Sequence, residues 1–264
     1  MEKLMKEMLS CLEVRSVTDL LPHEQTIPYN LKRLKVAMLN VGQIVDPILI
    51  DKKTGLVIDG NHRRKVLEIM EVPFAPVQTV DYMRKDITVG TWYPSVPFKP
   101  KQLFTMESVH HEKVDYETGK KAVQNLKAAF MVMSKKHYYL INPGNYKLKE
   151  MVEEQNHVLF DLEKMSVDYI AEPDISDHLA RGNSVLFRRS YTKAEIIKTA
   201  QDHSPFPPKS TRHLVPGRII RLNMKLGWLN RTKEHAKKEM QRTLNNRVYS
   251  GNVRKYYEPV TVIY

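Results

Sequence analysis

The chain has a single cysteine, Cys11, among its 264 residues. An internal disulfide is therefore impossible, and so is a zinc site built from several cysteines. No apolar run reaches the roughly 20 residues that are needed to span a bilayer. The first seven residues mix acids and bases, unlike a secretory signal peptide. These absences predict a cytoplasmic protein with no membrane partner.

The usual nucleotide-binding signatures are also missing. The sequence contains no Walker A loop, no glycine-rich loop of the protein kinases and none of their catalytic-loop motif. Any phosphoryl transfer must therefore use a different structural frame. What the chain does contain is 42% hydrophobic and 27% charged residues, which allows a core in one large domain or two small ones.

Negative charge is scarce relative to positive charge. The formal net charge is +12 and the isoelectric point is near 9.5, which favours anionic partners. The excess is concentrated between Lys209 and Lys255, where Glu234 and Glu239 are the only acids. This basic stretch lacks interleaved aromatics and a recognisable nucleic-acid reader motif, so a solvated helix face is the simpler interpretation.

Short apolar runs punctuated by turn residues organise the first 90 residues into an α+β pattern. The pattern predicts strands at 12–20 (leading into a loop), 47–50, 56–58 and 75–80, and helices at 31–39 and 61–70. Gly42 is the predicted C-cap of the first helix.

The remainder follows a proline-rich connector that ends near Pro100. Thr192 and Glu195 form a predicted capping box at the start of a helix. Prolines 205, 207 and 208 exclude a helix and predict a rigid loop over 205–213. Further predicted elements are helices at 118–128, 147–165 and 228–246, and strands at 129–133, 137–141, 184–189 and 260–263.

The most informative segment is Asp59-Gly60-Asn61-His62-Arg63, which follows an apolar run and precedes a helical pattern. A helix start offers free backbone N–H groups and the positive end of the helix dipole, so it can bind phosphate. His62 and Arg63 add donors at the same place, and Asp59 could hold a cation. The alternative is a purely conformational Asp-Gly turn.

A second polar cluster, Lys209-Ser210-Thr211-Arg212-His213, ends the proline-stiffened loop. Stiffening lowers the ordering cost of binding an anion. Taken alone, Glu24 is typical of a solvated loop residue and Trp92 of a core aromatic. His110-His111-Glu112 has no third ligand at a useful spacing, so we interpret it as solvated or structural.

Four segments together resemble the free L-serine kinases of the ParB/sulfiredoxin-like superfamily. They are Pro22-His23-Glu24-Gln25, Ile58-Asp59-Gly60-Asn61-His62-Arg63, Thr91-Trp92-Tyr93-Pro94 and Phe206-Pro207-Pro208-Lys209-Ser210-Thr211-Arg212-His213. They occur in family order over residues 12–216, and Arg254 to Tyr264 resembles the end of the bacterial members. The resemblance implies an α+β fold with a nucleotide-binding domain at 1–98. A second α/β lobe at 99–264 would contribute the substrate loop 205–213 and form a cleft with the first.

By position, the resemblance also implies roles for individual residues. Glu24 would be the general base for the serine hydroxyl, Asp59 would hold Mg²⁺, and Gly60, Asn61, His62 and Arg63 would cradle the nucleotide phosphates. Trp92 would wall the serine pocket, and Lys209, Thr211, Arg212 and His213 would meet the serine carboxylate or the transferred phosphoryl group.

The implied reaction converts free L-serine to O-phospho-L-serine with ADP or ATP and Mg²⁺, feeding cysteine or related amino-acid biosynthesis. The implied partners are L-serine and a nucleotide, in a monomer or a homodimer. The choice between ADP and ATP stays open, as does a related hydroxy amino acid as acceptor.

The alternative is a ParB-like protein that binds DNA or regulates under nucleotide control, which the basic C-terminal quarter motivates. Residues 100–200 show strands and proline breaks where that class carries a helix-turn-helix, and DNA binding leaves Glu24 and Lys209–His213 unexplained. Sulfiredoxin chemistry is disfavoured because Asn61 stands where its turn needs a cysteine. Cys11 is expected in an upstream strand and would not replace it.

Overall fold

The computed structural model describes residues 2–162 and 166–256. The helices in these residues are α1 (Glu2–Cys11), α2 (Pro28–Val41), α3 (Asn61–Ile69), α4 (Pro100–Leu103), α5 (Tyr116–Gln124), α6 (Leu148–Leu162), α7 (Ile175–Ala180), α8 (Lys193–Gln201), α9 (Leu226–Leu229) and α10 (Lys233–Tyr249). The strands are β1 (Leu12–Ser16), β2 (Leu21–Pro22), β3 (Gln43–Ile44), β4 (Ile48–Asp51), β5 (Leu56–Asp59), β6 (Phe74–Val80), β7 (Thr88–Gly90), β8 (Tyr93–Val96), β9 (His111–Val114), β10 (Ala128–Met133), β11 (Tyr138–Pro143), β12 (Asp168–Ile170), β13 (Ser184–Phe187), β14 (Arg212–Leu214) and β15 (Met224–Lys225). The strand predicted at 260–263 lies outside the described residues, as does most of the segment from Arg254 to Tyr264.

The chain divides into two compact units. The first comprises Met1–Pro22, Thr26–Tyr82 and Gly217–Tyr264, and the second comprises His23–Gln25 and Met83–Pro216. This division differs from the one predicted at residues 98 and 99. Helix α10 packs on α1 and β1 and so belongs to the first unit. Residues 83–98 belong to the second unit, because β7 pairs with β14 and β8 pairs with β12 and β13.

The first unit is built on a five-stranded sheet with the order β1-β6-β4-β5-β2. Strands β4 and β6 are parallel, whereas β5 runs antiparallel to β4. Helix α3 connects β5 to β6 and buries Val66 and Leu67 in the core of this unit. The local pattern therefore brings the end of β5 directly to the start of α3.

Helix α2 ends where the sequence predicts. Gly42 adopts a left-handed conformation with φ 68°, and its N–H bonds the carbonyls of Met38 and Leu39. A residue with a Cβ is strained at positive φ, which is why glycine is preferred at this C-cap.

The second unit carries a six-stranded antiparallel sheet with the order β12-β8-β13-β10-β11-β9. Alternate side chains of β10 face opposite sides of this sheet. Phe130 and Val132 join the cluster that includes α6, and Met131 and Met133 join the cluster that includes Val123 of α5. Both faces are covered, which explains why β10 is apolar throughout.

Three local predictions need correction. Arg212 and His213 lie in β14, paired with β7, so the predicted loop does not extend over 205–213. The helix predicted at 228–246 is two helices, because Thr232 caps a new helix through a bond from His235 N–H. Cys11 ends α1 and is not in a strand.

The capping box is confirmed: Thr192 accepts a bond from the Glu195 N–H, and the Glu195 carboxylate accepts one from the Thr192 N–H. No helix within 2–162 and 166–256 is long and apolar enough to cross a membrane.

Candidate active site

The junction of β5 and α3 is the predicted strand, turn and helix start. Gly60 has φ 103°, and a Cβ built there would lie 3.1 Å from Nη2 of Arg63. Only glycine fits this turn without strain. The helical ladder begins with the Arg64 N–H bonded to the Gly60 carbonyl at 2.8 Å. The N–H groups of the first turn of α3 precede this ladder, and that is the part of a helix at which an anion can bind.

The Asp59 carboxylate binds two arginines. Its Oδ2 lies 2.7 Å from Nη2 of Arg63 and 2.5 Å from Nη2 of Arg218. Arg63 also donates through Nη1 to the carbonyls of Asp46 at 2.8 Å and Pro47 at 2.9 Å. The Arg63 guanidinium is thus fixed, whereas that of Arg218 is 41% exposed.

Arg218 was not among the predicted site residues, and Gln78 of β6 explains its placement. The Gln78 amide donates to the Gly217 carbonyl at 2.8 Å and accepts from the Ile219 N–H at 2.8 Å. Both flanks of Arg218 are therefore bound to the sheet. Its position in the basic quarter was visible in the sequence, but this long-range anchoring was not.

His62 links two helix starts. Its Nε2 accepts a bond of 3.1 Å from the N–H of Ile27, the residue that precedes α2. A ring nitrogen that accepts carries no proton, so Nε2 cannot donate to a phosphate while this bond is made. Through this bond His62 joins the start of α3 to that of α2, and its role at the phosphates stays a prediction.

The donor atoms at this junction fit a magnesium ion that arrives with phosphates. Asp59 offers a carboxylate, and the Asn61 Oδ1 atom is buried with no hydrogen-bond partner among the described residues. Mg²⁺ prefers oxygen ligands and commonly uses one or two carboxylates together with substrate phosphates. Within the described chain no group of three or more His, Cys, Asp or Glu could hold a metal, so the protein alone does not form a closed cage.

In the second unit, the segment around Glu24 is paired with the proline-rich loop. The Gln25 N–H donates to the Phe206 carbonyl, and the Phe206 N–H donates to the His23 carbonyl, both at 2.8 Å. This pairing brings Glu24 to Thr211. The Thr211 N–H donates to Glu24 Oε1 at 2.6 Å and its hydroxyl donates to the same oxygen at 2.5 Å.

His23 completes the hydrogen-bond chain. Its side chain is buried, and its Nε2 lies 2.8 Å from Oγ1 of Thr211. The threonine hydroxyl has one proton, which it gives to Glu24, so Nε2 of His23 must be the donor to Thr211. His23 and Thr211 together hold the Glu24 carboxylate in a fixed direction.

The other predicted acceptor residues gather around Trp92. The Lys209 Nζ lies 5.8 Å from the Trp92 ring centroid and the Arg212 Cζ lies 5.2 Å from it. His213 packs edge-to-face on His23, with centroids 5.3 Å apart. The predicted site residues of the second unit are therefore neighbours, and those of the first unit are contiguous in sequence.

Arg188 is a second residue of the site that was not predicted from the sequence. It follows β13 directly, is fully buried, and contacts Thr91, Trp92, Lys209 and Ser210. The feature of the sequence that could have identified Arg188 is its position, as a charged residue directly after the apolar run Val185-Leu186-Phe187.

The acid stability of the protein should depend on His213. Burial, followed by the charges of His23 and Lys193, lowers the pKa of His213 to about 3. In the unfolded chain His213 titrates near the ordinary value of 6.5. Between these two values the unfolded state binds more protons, so stability falls as the pH drops through this window.

We therefore expect wild type to lose about 1–2 kcal/mol more stability than His213→Gln between pH 7 and pH 5. Urea unfolding of both proteins at the two pH values measures this difference. Equal losses would show that the His213 pKa is not lowered by folding.

Comparison with known proteins gives relatives over most of the chain. No protein-family model matches. The chain is 29% identical over 222 residues to the ADP-dependent L-serine kinase SerK of Thermococcus kodakarensis, covering 78% of this chain and 87% of that protein. It is 28% identical over 215 residues to the ATP-dependent L-serine kinase of Staphylothermus marinus, covering 76% and 84%.

Two solved structures share the fold. A free serine kinase in complex with AMP gives a TM-score of 0.73 at 24% identity, over 83% of this chain and 93% of that one. C-terminally truncated SbnI from Staphylococcus aureus gives 0.73 at 18% identity, over 92% and 99%. The predicted α+β fold and the predicted resemblance are both confirmed: the chain is similar to L-serine kinases in sequence and to free serine kinase and SbnI in fold.

Proposed function

We propose that this protein is a kinase that transfers a phosphoryl group from ADP or ATP to the hydroxyl of free L-serine. The observation that carries the proposal is Glu24, a carboxylate with 14% side-chain exposure whose Oε1 is held by Thr211. Cationic Lys209 and Arg212 lie on the Trp92 ring in the same unit. The activities of the two curated relatives support the same reaction.

The first unit binds the nucleotide in this proposal. The backbone N–H groups at the start of α3 receive phosphate oxygens, and Gly60 lets the backbone approach them closely. Arg63 and Arg218 supply positive charge beside the phosphates. Mg²⁺, held by Asp59 and Asn61 Oδ1, would neutralise phosphate charge when the nucleotide is bound.

The second unit binds and activates serine. Lys209 and Arg212 face the serine carboxylate or the transferred group, and the Trp92 ring walls the pocket. Glu24 takes the hydroxyl proton as the serine oxygen forms its bond to the terminal phosphorus. The bond from that phosphorus to the bridging oxygen breaks, and AMP or ADP leaves. Positioning and charge neutralisation supply most of the rate enhancement in such transfers.

The role of Arg218 gives a direct prediction. Arg218→Gln should weaken nucleotide binding about tenfold, which is about 1.4 kcal/mol, because a charge-assisted bond to phosphate is lost. Isothermal titration with ADP and with ATP, without serine, measures the affinity.

Arg231→Gln is the matched control, since Arg231 is an exposed arginine of the same basic quarter with no predicted role. Its affinity should match wild type. An unchanged affinity in Arg218→Gln, or an equal loss in both variants, would remove Arg218 from the nucleotide site.

The proposed activity is tested by incubating the protein with L-serine, Mg²⁺ and either ADP or ATP, and identifying O-phospho-L-serine by mass spectrometry. Parallel reactions with D-serine and L-threonine define the acceptor. The same preparation is titrated with duplex DNA at two salt concentrations. Phosphoserine from either donor supports the kinase, whereas no product together with salt-sensitive DNA binding supports the ParB-like alternative.

The reaction also suggests a cellular setting. Its nucleotide donor is a cytoplasmic metabolite, so we place the activity in the cytoplasm. Phosphorylation turns the serine hydroxyl into a good leaving group, which suits a following substitution at that carbon. A biosynthetic step towards cysteine or a related amino acid is such a reaction.

A further inference from the structure

Arg188 is the largest fully buried side chain in the described residues, and the roles proposed so far do not use it. Burial lowers the pKa of Arg188, which reflects the cost of removing a guanidinium from water. Among the described residues its hydrogen bonds go to neutral oxygens, and none goes to a carboxylate. The reason for burying this arginine is therefore to be found in the two segments that its guanidinium binds.

The first segment that Arg188 holds connects β7 to β8. Its Nε donates to Oγ1 of Thr91 at 3.2 Å and to the carbonyl of Trp92 at 3.0 Å. Thr91 in turn donates to the Ser210 carbonyl at 2.8 Å. The backbone at Trp92, which walls the proposed serine pocket, is therefore fixed by the guanidinium.

The second segment is the proposed substrate loop. Nη1 of Arg188 donates to Oγ of Ser210 at 3.3 Å, and Nη2 donates to the carbonyl of Lys209. Lys209 has φ 61°, a left-handed conformation that is costly for a residue with a side chain. The guanidinium thus bonds the carbonyl of a strained residue and stabilises that conformation.

The next residue along the loop, Thr211, holds Glu24 by two bonds to Oε1. A displacement at Lys209 or Ser210 would move the Thr211 N–H and release the carboxylate. The same displacement would separate Lys209 from the Trp92 ring. One buried side chain therefore determines the position of the proposed base, the pocket wall and the cationic loop together.

We propose that Arg188 is a positioning residue that aligns Glu24, Trp92 and Lys209 for serine, and that it acts without touching either substrate. This inference rests on the proposed serine kinase activity. A planar guanidinium with five N–H donors satisfies four acceptors in two directions, which the single ammonium of lysine cannot do. A lysine at position 188 would therefore keep the positive charge but not this set of hydrogen bonds.

The test compares Arg188→Lys with Arg189→Lys. Arg189 is the adjacent arginine, and its guanidinium pairs with the Glu195 carboxylate at 2.7 Å, which none of the proposed roles involves. We expect Arg188→Lys to lower kcat/KM for serine about 100-fold, the effect of a small misplacement of reacting groups. The Kd for nucleotide, measured without serine, should change less than about twofold, since Arg188 and the nucleotide residues lie in different units. Arg189→Lys should match wild type in both.

A spectroscopic measurement separates positioning from general destabilisation. The chain has two tryptophans, so Trp228→Phe leaves Trp92 as the single reporter. In that background, Arg188→Lys should raise the acrylamide quenching constant of Trp92 and remove its response to serine. Should Arg188→Lys fail to fold, Ser210→Ala removes one acceptor of the guanidinium without a change of charge. It should raise KM for serine about fivefold and leave the nucleotide Kd unchanged.

The outcomes are distinguishable. A wild-type protein that makes no phosphoserine would overturn the proposed function itself. Active wild type with unchanged kinetics and Trp92 quenching in Arg188→Lys, or in Ser210→Ala if the first variant is unfolded, would overturn the positioning role. Equal losses of serine and nucleotide binding in a folded Arg188 variant would also overturn it.

Discussion

Replacing Glu24 with glutamine is expected to reduce phosphoserine formation about 1,000-fold while nucleotide affinity stays unchanged. The amide oxygen of glutamine can still accept both bonds from Thr211, so the local geometry is retained. What the variant loses is the ability to take the serine hydroxyl proton. Initial rates of phosphoserine formation and ADP titration measure the two properties separately.

Glu107→Gln is the matched control, because Glu107 is an exposed glutamate of the same unit. It should retain wild-type turnover. Normal turnover in Glu24→Gln would show that Glu24 is not the base. A loss of nucleotide affinity equal to the loss of rate would show that the residue acts in binding.

The second large effect is expected at Asp59. Asp59→Asn should lower turnover about 100-fold or more, and Mg²⁺ should no longer tighten nucleotide binding. The carboxylate offers the negative charge that a cation needs, and it also orients Arg63 and Arg218. An amide offers neither a full charge nor two equivalent acceptor oxygens. Nucleotide titrations with and without Mg²⁺ isolate the metal-dependent part.

Asp86→Asn is the control for this variant. Asp86 also pairs with an arginine, Arg84, at an exposed position in the second unit. Loss of that pair should leave both turnover and the Mg²⁺ effect unchanged, since exposed ion pairs contribute little. If Asp59→Asn kept its Mg²⁺ effect, the metal would bind elsewhere.

Several elements of the first unit could be predicted from short segments of the sequence. The strand at 56–58, the Asp-Gly turn and the helix at 61–70 were predicted from contiguous residues, and the structure places β5, Gly60 and α3 there. Such elements depend on apolar spacing and on the conformational freedom of glycine, which are properties of short segments. The C-cap at Gly42 was predictable for the same reason.

Most departures from the predicted elements come from contacts between residues distant in sequence. The break near Thr232 is the exception, because it depends on a local side-chain cap that competes with a continued helix. Arg212 and His213 join a strand only because β7, more than 120 residues earlier, offers a partner. The order of the six strands in the second unit likewise follows from pairing that no short window contains.

The candidate site follows the same rule. Asp59, His62 and Arg63 stand in one motif and were predicted together. The hydrogen bonds of Gln78 to Gly217 and Ile219 bring Arg218 to Asp59. Arg188 reaches the substrate loop from the end of β13. Neither contact produces a recognisable pattern in a short stretch of sequence. The roles of both arginines could therefore be inferred only from the structure.

The most direct test of the account is a ³¹P NMR time course with wild-type protein, L-serine, Mg²⁺ and each donor in turn. One phosphoserine should form for each AMP released from ADP, or for each ADP released from ATP. Omitting serine should suppress consumption of the donor. Nucleotide consumption without phosphoserine, or no reaction with either donor, would contradict serine kinase activity.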